Sequence, residues 1–378
     1  MPSARVALPR STPTSTASFP PRPPDIKGRK SELRILTAAL RGSPATPIVL
    51  LGGGGTGKSL LACALGHRVA RAFPGGIHWL RVGGWDHRTL FEMLALRFGA
   101  RRDGGGGSDG GGVSVGVHLR RALMARDRTL IVLDNHENDR AMARFLETLR
   151  GCPVTWVLTA RRCLLAGVSI FPVVAPLITA AQPAFPRVAG LTKLLRWNPL
   201  ALGIADAIVA SRAATAAALG DWLLSRGVDR VTVMQDEDDV AEVRLLVDWT
   251  WRRLPPGARR MMAVLAHAQG DHMGVESLRA LSGVGGAAPA CLRSLRRWLL
   301  VQEPLAGRLT LHAVVRRAVA GRTRFPQARF FDHYARLLEE RPRLLELEQS
   351  NLFAAMDHAH QTSDLGASLR IERLLEGL

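Results

Sequence analysis

Between residues 47 and 176 the chain alternates short apolar runs with longer segments in which apolar residues recur at helical spacing. The apolar runs are PIVLL, IHWLRV, TLIVLD, VTWVLTA and SIFPVVAPL, and the helical segments include SLLACALGHRVARA and DRAMARFLETLRG. Short apolar runs of this kind are typical of buried strands. Strands that alternate with helices form a parallel sheet flanked by helices. The pattern therefore predicts an α/β fold for this part of the chain.

The residues in front of this pattern divide into two kinds. Residues 1–25 are rich in proline, serine and threonine, which predicts a disordered lead-in. In GRKSELRILTAALRG, Leu33, Leu36 and Leu40 recur at helical spacing and predict a short amphipathic helix. Residues 103–112, DGGGGSDGGG, predict a flexible surface loop inside the α/β region. We therefore expect the α/β domain to comprise residues 26–178.

The pattern changes after residue 178. Residues 179–238 carry long apolar stripes without strand character, which predicts a small helical domain. Residues 239–322 combine helical segments with a short alternation in VQEPLAGRLTLH, and helices followed by a hairpin predict a winged-helix domain. Residues 323–378 predict antiparallel, TPR-like helices. Because the chain stops inside that last pattern, we expect the helical region to be truncated.

Composition narrows the classes of function. No apolar run reaches the roughly 18 residues of a membrane span, and the N-terminus lacks the apolar segment of a secretory signal, so we expect a cytoplasmic protein. The formal net charge is +19, but only four of the 51 basic residues are lysines and the arginines are spread along the chain. Such arginine-rich usage is typical of GC-rich coding sequence. A nucleic-acid partner therefore remains an alternative and is not favoured.

The segment GGGGTGKS, residues 52–59, matches the phosphate-binding motif G-x-x-x-x-G-K-[ST] in full. It lies between a predicted strand and a predicted helix, where backbone N–H groups and the helix dipole favour phosphate. Lys58 is expected to reach the β- and γ-phosphates, and Ser59 to ligate Mg²⁺. The motif therefore predicts a site for ATP or ADP with Mg²⁺. The residues of this loop that we expect to bind nucleotide are Gly52, Gly53, Gly54, Gly55, Thr56, Gly57, Lys58, Ser59 and Leu60.

A P-loop enzyme also needs an acidic residue at the end of a buried strand to hold the metal ion. TLIVLDN supplies Asp134 for this role, and the predicted metal ligands are Ser59 and Asp134. Asn135 follows where many ATPases carry the acid that orients water, so Glu137 is the candidate for that task; the alternative is a solvated carboxylate. Hydrolysis is therefore expected to be slow. Arg161, after the strand VTWVLTA, is either a sensor of the γ-phosphate or a solvated charge.

With these residues in place, the chain resembles the STAND class of signal-transduction ATPases with an NB-ARC-like core, and specifically its bacterial regulator branch. GRKSEL resembles the motif before the P-loop, LIVLDNHE the LDNxE form of Walker B, and VLTARR the sensor segment. WNPLAL resembles the GLPL motif of the small helical domain, and LVDWTWRRLPPGARRMMAVLA the start of the winged-helix domain. LTLHAVVRRAV resembles the MHD motif, and ELEQSNLFAAMDHA the start of the helical repeats. The order of these motifs is more specific than any one of them.

The resemblance implies a nucleotide-dependent switch. ADP would lock the nucleotide-binding, helical and winged-helix units together, and exchange for ATP would let them open and form a homo-oligomer. Such a change requires different affinities of the two nucleotides for the two states. The resemblance also implies that Arg29 contacts the nucleotide, that Pro199 packs near the adenine, that His312 reaches the β-phosphate and that Arg161 reads the γ-phosphate.

The chain departs from the family pattern in three places. Asn198 stands for the first leucine of GLPL, and Trp197 for its glycine. Ala313 stands where the MHD motif has its aspartate, so the contact between units is expected to be weaker than usual. Family members also carry an effector domain and a long sensor array. We therefore expect either a fragment or a protein that works through a separate effector or sensor partner.

Two other functions fit the same motifs. An AAA+-like DNA-binding ATPase would use Arg293, Arg296 and Arg297 on a recognition helix, although these arginines also fit the solvated face of a helix. A scaffold that binds nucleotide without hydrolysing it is the other alternative. DNA binding that weakens steeply with increasing salt would identify the DNA-binding ATPase. Bound nucleotide without release of phosphate would identify the scaffold.

Overall fold

The computed structural model describes residues 19–23, 26, 28–42, 46–100, 111–174, 185–228, 240–268 and 272–341, together with residues 344, 348, 350–352, 355, 366 and 370. Most of the predicted lead-in and most of the glycine-rich segment at residues 103–112 lie outside the described residues. Only the last two residues of that segment are described, and they begin a helix.

A five-stranded sheet forms from the predicted apolar runs, and every strand pair in it is parallel. The strands are β1 (Ile48–Leu51), β2 (Ile77–Arg81), β3 (Thr129–His136), β4 (Val154–Ala160) and β5 (Ser169–Pro172). Their order across the sheet is β2-β3-β4-β1-β5. Because β4 separates β1 from β3, the ends of these three strands lie side by side at one edge. The α/β prediction is confirmed, and this edge positions the site described below.

Helices cover both faces of the sheet, and each face has its own apolar core. The helices are α1 (Lys30–Arg41), α2 (Lys58–Val69), α3 (His87–Arg97), α4 (Gly111–Met124) and α5 (Asp139–Thr148). In α1, Leu36 and Leu40 are buried and Leu33 is half-buried, as the helical spacing predicts. Leucine, valine and isoleucine at the buried strand positions supply most of the apolar area that stabilises these layers.

The second half of the described chain is mainly helical. Its helices are α6 (Pro199–Ala210), α7 (Ala216–Ser225), α8 (Ala241–Arg253), α9 (Pro256–His267), α10 (Val275–Ser282), α11 (Ala288–Arg297), α12 (Ala313–Ala320) and α13 (Gln327–Glu340). Short 3₁₀ turns occupy Ala70–Ala72, Pro186–Leu191 and Gly285–Ala287. A small antiparallel sheet of β6 (Met273–Gly274), β7 (Gln302–Leu305) and β8 (Arg308–Thr310) lies among these helices, in the order β6-β8-β7.

One apolar core runs through this second half from Val188 to Tyr334. It joins the predicted small helical domain to the predicted winged-helix domain, so the two share buried side chains. The hairpin of β7 and β8 forms over VQEPLAGRLTLH, the segment in which the alternation predicts it. None of the described helices is both long and apolar enough to cross a membrane.

Phe19 departs from the prediction of a disordered lead-in. Its ring is 3% exposed and makes edge contacts with His67 and Trp79. A Cβ on Gly66 would lie 2.3 Å from the Phe19 ring, so only glycine at this position of α2 admits the ring so closely. The sequence pattern did not reveal this contact, because a single phenylalanine among prolines has no periodicity.

Candidate nucleotide-binding site

The loop between β1 and α2 has the geometry of a phosphate-binding loop. Gly55 and Gly57 have φ angles of 79° and 91°, a region that glycine occupies without strain. Lys58 lies over the loop, because its Nζ donates to the carbonyl oxygens of Gly52 at 2.7 Å and Gly53 at 2.8 Å. Burial lowers the pKa of Lys58 to about 8, with Asp134 opposing this shift and Arg161 adding to it. A phosphate would give this ammonium the anionic partner that the two carbonyls only partly replace.

The metal side of the site lies where β1, β4 and β3 end. Ser59 Oγ and Thr159 Oγ1 both donate to Asp134 Oδ1, each at 2.6 Å. The backbone N–H of Asn135 donates to Thr159 Oγ1 at 2.9 Å, which fixes the threonine between the strands. A hydroxyl oxygen beside a buried carboxylate is the kind of donor set that Mg²⁺ accepts together with phosphate oxygens. Ser59 and Asp134 therefore fit the metal that the motif implies.

Arg29 is buried behind the loop and outside the lining of the cavity described below. Its Nη2 donates to the carbonyl oxygens of Thr56 at 2.7 Å and Val174 at 2.6 Å, and its Nη1 pairs with Glu32 at 2.8 Å. The guanidinium thus ties the P-loop to the segment after β5. In this structure Arg29 supports the loop backbone.

Glu137 and Arg161 meet beside the metal side of the site. Arg161 Nη2 lies 2.6 Å from Glu137 Oε1, and Asn135 Nδ2 donates to the same oxygen at 3.0 Å. Asn135 adopts a positive φ of 59°, which turns the chain at the end of β3. Arg161 lines the nucleotide cavity, whereas Glu137 lines only the neighbouring one. The two residues are thus paired with each other, Arg161 lines both cavities, and Glu137 lines only the neighbouring one.

His312 reaches the site from the hairpin of the second half. It is the N-cap of α12, and its Nδ1 accepts a hydrogen bond from the backbone N–H of Val314 at 3.3 Å. Because Nδ1 is the acceptor, the proton of the neutral ring is on Nε2. Burial, together with the nearby charges of Arg81, Lys58 and Arg161, lowers the pKa of His312 to about 3. The ring is therefore a neutral hydrogen-bond donor at physiological pH.

These segments enclose one cavity of about 290 Å³, which we call the nucleotide cavity. The P-loop and the ends of β3 and β4 form one side, Pro199 and Leu200 at the start of α6 a second, and the segment 311–314 a third. The predicted site residues that line it are Gly54, Gly55, Gly57, Lys58, Ser59, Leu60, Asp134, Arg161, Pro199 and His312. Arg29, Gly52, Gly53, Thr56 and Glu137 do not line it.

Several residues of this region were not predicted as parts of the site, and two of them make hydrogen bonds between distant segments. Arg81, the last residue of β2, lines the cavity and donates to Thr310 Oγ1 at 3.2 Å. Asn198 Nδ2 donates to the carbonyl oxygen of Gly54 at 2.9 Å, across to the P-loop. For Arg81 the available signal was a charge at the carboxyl end of a parallel strand, the edge where ligands bind. For Asn198 the available signal was a polar residue in place of the first leucine of the GLPL motif.

The arginines that the DNA-binding alternative requires lie on α11. Arg296 pairs with Glu303 at 2.8 Å, and Arg297 Nη2 donates to the carbonyl oxygen of Ser211 at 2.9 Å. Arg293 is exposed. Two of the three side chains thus make contacts within the protein, as expected for the polar face of a packed helix.

Comparisons with known proteins agree with this geometry. No protein-family model matches the chain. The regulatory protein AfsR of Streptomyces griseus is 25% identical over 344 residues, which cover 85% of this chain and 35% of the relative. The regulatory protein AfsR of Streptomyces coelicolor is 25% identical over 335 residues, which cover 81% of this chain and 33% of the relative. The chain thus spans about a third of the length of these relatives.

The fold is similar to that of a signal-transduction ATPase with numerous domains (STAND) from Pyrococcus horikoshii that carries a tetratricopeptide repeat sensor. The TM-score is 0.52 at 16% identity, over 96% of this chain and 60% of that protein. Identity this low carries information about the fold alone. Sequence similarity to AfsR regulators and fold similarity to a STAND protein together confirm that this chain resembles STAND-class P-loop ATPase regulators.

Proposed function

We propose that this chain is an ATP/ADP-dependent switch that ADP holds closed and ATP opens, with slow hydrolysis. One observation carries the proposal: the P-loop, Pro199 and His312 line the same cavity. These residues come from the α/β part, from α6 and from the segment before α12. A nucleotide in this cavity would therefore contact all three of these parts. A switch must control how the three parts are placed relative to one another.

The closed arrangement is supported by direct contacts as well as by the cavity. A Cβ on Gly54 would lie 2.6 Å from Val314 Cγ2, so α12 packs directly on the P-loop. Asn198 donates to the Gly54 carbonyl oxygen from the other side. Since a ligand shifts an equilibrium only through unequal affinities, ADP must gain contacts here that the open form lacks. We assign these contacts to Pro199 near the adenine and to the Nε2–H of His312 at the β-phosphate.

The proposal includes Mg²⁺ held by Ser59 and Asp134, where it would neutralise phosphate charge. Lys58 supplies the cation at the β- and γ-phosphates, and Arg161 reads the γ-phosphate. We propose slow hydrolysis because Asn135 occupies the position of the usual water-orienting acid, while Glu137 is bound to Arg161 and Asn135. We propose that Glu137 instead positions Arg161 in the closed arrangement through their ion pair.

We also propose the domain organisation expected from the sequence, with a small helical unit at 179–238, a winged helix at 239–322 and TPR-like helices after it. The order α9, β6, α10, α11, β7, β8 supports the winged-helix assignment, because helices precede a hairpin, and Leu309 of β8 belongs to the same apolar core as these helices. By analogy with the AfsR relatives, which are regulatory proteins, we place the switch in signalling, transcriptional regulation or defence. It would act in the cytoplasm, through homo-oligomerisation and a separate effector or sensor.

Identification of the nucleotide that copurifies with the protein tests the proposal. The purified protein is denatured, and the released nucleotides are separated by ion-exchange chromatography. We expect ADP at close to one molecule per chain, and none from Lys58→Ala. Copurified ATP without ADP would contradict the ADP-held state. Nucleotide at equal occupancy in Lys58→Ala would contradict the assignment of the site itself.

A further inference from the structure

A second cavity of about 430 Å³ lies beside the nucleotide cavity. One wall is the segment 82–85 after β2, and the opposite wall includes the ends of α9 and α12. The two cavities share four lining residues, Arg81, Asn135, Arg161 and Ala313. Trp85, Arg316 and Arg317 line the second cavity alone. Its size falls within the usual range of small-molecule sites, which often lie between domains. The second cavity is therefore large enough for a ligand of its own.

The charge that lines this cavity is mostly positive. Arg81, Arg161, Arg316 and Arg317 contribute their side chains to it, and Glu137 is the one acidic residue among its described lining residues. Glu137 pairs with Arg161. Guanidinium groups grouped in this way favour anions, and their planar donors match phosphate oxygens.

Two of these arginines converge on one neutral oxygen. Arg81 Nη1 and Arg316 Nη2 each donate to Thr310 Oγ1 at 3.2 Å, and Thr310 is buried. Two cations held this close repel each other, and the repulsion is stronger away from bulk water. Arg81 also lowers the pKa of the nearby His312, in addition to the larger effect of burial. An anion between the two guanidinium groups would relieve the repulsion.

Apart from Asn135, the remaining side chains that line the cavity are apolar. The ring of Trp85 is half-buried, and Ala266, Ala268 and Ala320 leave room opposite it. Inorganic phosphate alone would leave this surface uncovered, whereas a flat organic group would cover it. We propose that the second cavity binds a small organic phosphate, with the phosphate on Arg81, Arg316 and Arg317 and the organic part against Trp85.

The position of the site indicates what its occupant does. Trp85 and Arg81 belong to the α/β part, and Arg316 and Arg317 belong to α12, so the occupant bridges them. A ligand that binds only the closed arrangement stabilises that arrangement. This consequence, that the occupant slows ADP release, rests on the proposed function. Binding of the organic phosphate itself does not.

Calorimetry on the full chain, saturated with ADP in Mg²⁺-free buffer, tests the site with phenyl phosphate and inorganic phosphate as probes. We expect phenyl phosphate to bind more tightly than inorganic phosphate. Arg317→Gln should weaken both about tenfold or more, because a hydrogen bond to a charged group contributes about 1.5–3 kcal/mol. Trp85→Leu should remove the preference for phenyl phosphate. Arg293→Gln, which removes an exposed arginine charge on α11, should bind as the wild type does.

Three results would overturn the site: no binding of phenyl phosphate, binding as tight as in the wild type in both Arg317→Gln and Arg316→Gln, or displacement of ADP by the probe. The variant Lys58→Ala distinguishes failure of the nucleotide site from failure of the organic-phosphate site. That variant should lose ADP but still bind phenyl phosphate, more weakly than the ADP-saturated wild type because both ligands favour the closed arrangement. Arg317→Gln should instead keep the ADP affinity of the wild type, measured with a fluorescent analogue.

Discussion

The side-chain amide of Asn198 donates a hydrogen bond to the carbonyl oxygen of Gly54, 2.9 Å away, and thereby joins the start of α6 to the P-loop. The same side chain caps α6, because its Oδ1 accepts from the backbone N–H groups of Leu200 and Ala201. Asn198 is 7% exposed. One residue therefore fixes both the start of the helix and its distance from the nucleotide loop.

Substitution of Asn198 by serine separates these two contributions. Serine is also a good N-cap, so α6 should keep its stability, but its hydroxyl is too short to reach Gly54. Loss of a neutral hydrogen bond worth about 0.5–1.5 kcal/mol should speed ADP release by about two- to tenfold. Stopped-flow release of a fluorescent ADP analogue measures the rate.

The matched control is Thr215→Ala. It removes the N-cap of α7, which is formed by Thr215 Oγ1 and the Ala218 N–H, outside the nucleotide cavity. It should lower the free energy of unfolding by about 1 kcal/mol without changing ADP release. If both variants released ADP at the wild-type rate, the Asn198–Gly54 contact would have no part in nucleotide retention.

The lowered pKa of Lys58 predicts how ADP affinity depends on pH. In the nucleotide-free protein the ammonium loses its proton as the pH rises through about 8, while phosphate binds the charged form. ADP affinity should therefore be constant below that pH and fall above it. The free energy of unfolding changes in the opposite sense. Between about pH 8 and the ordinary lysine pKa of 10.5, the folded protein binds fewer protons than the unfolded chain. The free energy of unfolding therefore rises with pH across that window.

Titrations of ADP at several pH values from 7 to 9.5, without Mg²⁺, measure this dependence. Lys58→Met keeps much of the side-chain volume and lacks the charge, so its weaker affinity should not change over the same range. Parallel curves for the two proteins would show that Lys58 does not contact the phosphates.

Asp134→Ala should affect the metal more than the nucleotide. Its carboxylate accepts hydrogen bonds from Ser59 and Thr159, at the proposed metal side of the site. We expect the gain in ATP affinity on adding Mg²⁺ to be lost, while metal-free ADP binding changes little. Thr159→Val removes a hydrogen bond to the same oxygen but keeps the carboxylate, so it serves as the control. Identical Mg²⁺ titrations in Asp134→Ala and wild type would show that this aspartate is only a strand-end residue.

Glu137→Gln tests whether this residue orients the attacking water. A general base contributes about 10²- to 10⁴-fold to a rate. Because Glu137 lies in the second cavity and is bound to Arg161, we expect phosphate release to change by less than about tenfold. A loss of 100-fold or more, with ATP binding intact, would restore Glu137 as the catalytic base.

The sequence predicted the sheet well because its strands are nearly continuous apolar runs, as in TLIVLD, and because the P-loop motif spans eight residues with a known mechanism. It predicted Asp134 from the end of a buried strand and Ser59 from the P-loop motif, and the structure brings the two side chains into contact. Arg29 was assigned to the nucleotide by resemblance, and its contacts in the structure are two backbone carbonyls and the carboxylate of Glu32.

Contacts between distant segments were not predictable in the same way. Asn198 and Gly54 are 144 residues apart, and Arg81 and Thr310 are 229 apart, so no local pattern connects them. The burial of Phe19 depends on a glycine 47 positions along the chain, at Gly66. Such contacts depend on how whole elements pack, which hydrophobic periodicity does not specify.

His312 is proposed to read the bound nucleotide, and the rate of ADP release from His312→Asn tests this role most directly. Asparagine preserves the N-cap of α12 and is too short to replace the Nε2–H donor. Loss of a hydrogen bond to a charged group, worth about 1.5–3 kcal/mol, predicts release about ten- to a hundredfold faster in stopped-flow with a fluorescent ADP analogue. Release at the wild-type rate would contradict the account, because the segment before α12 would then not contact the nucleotide.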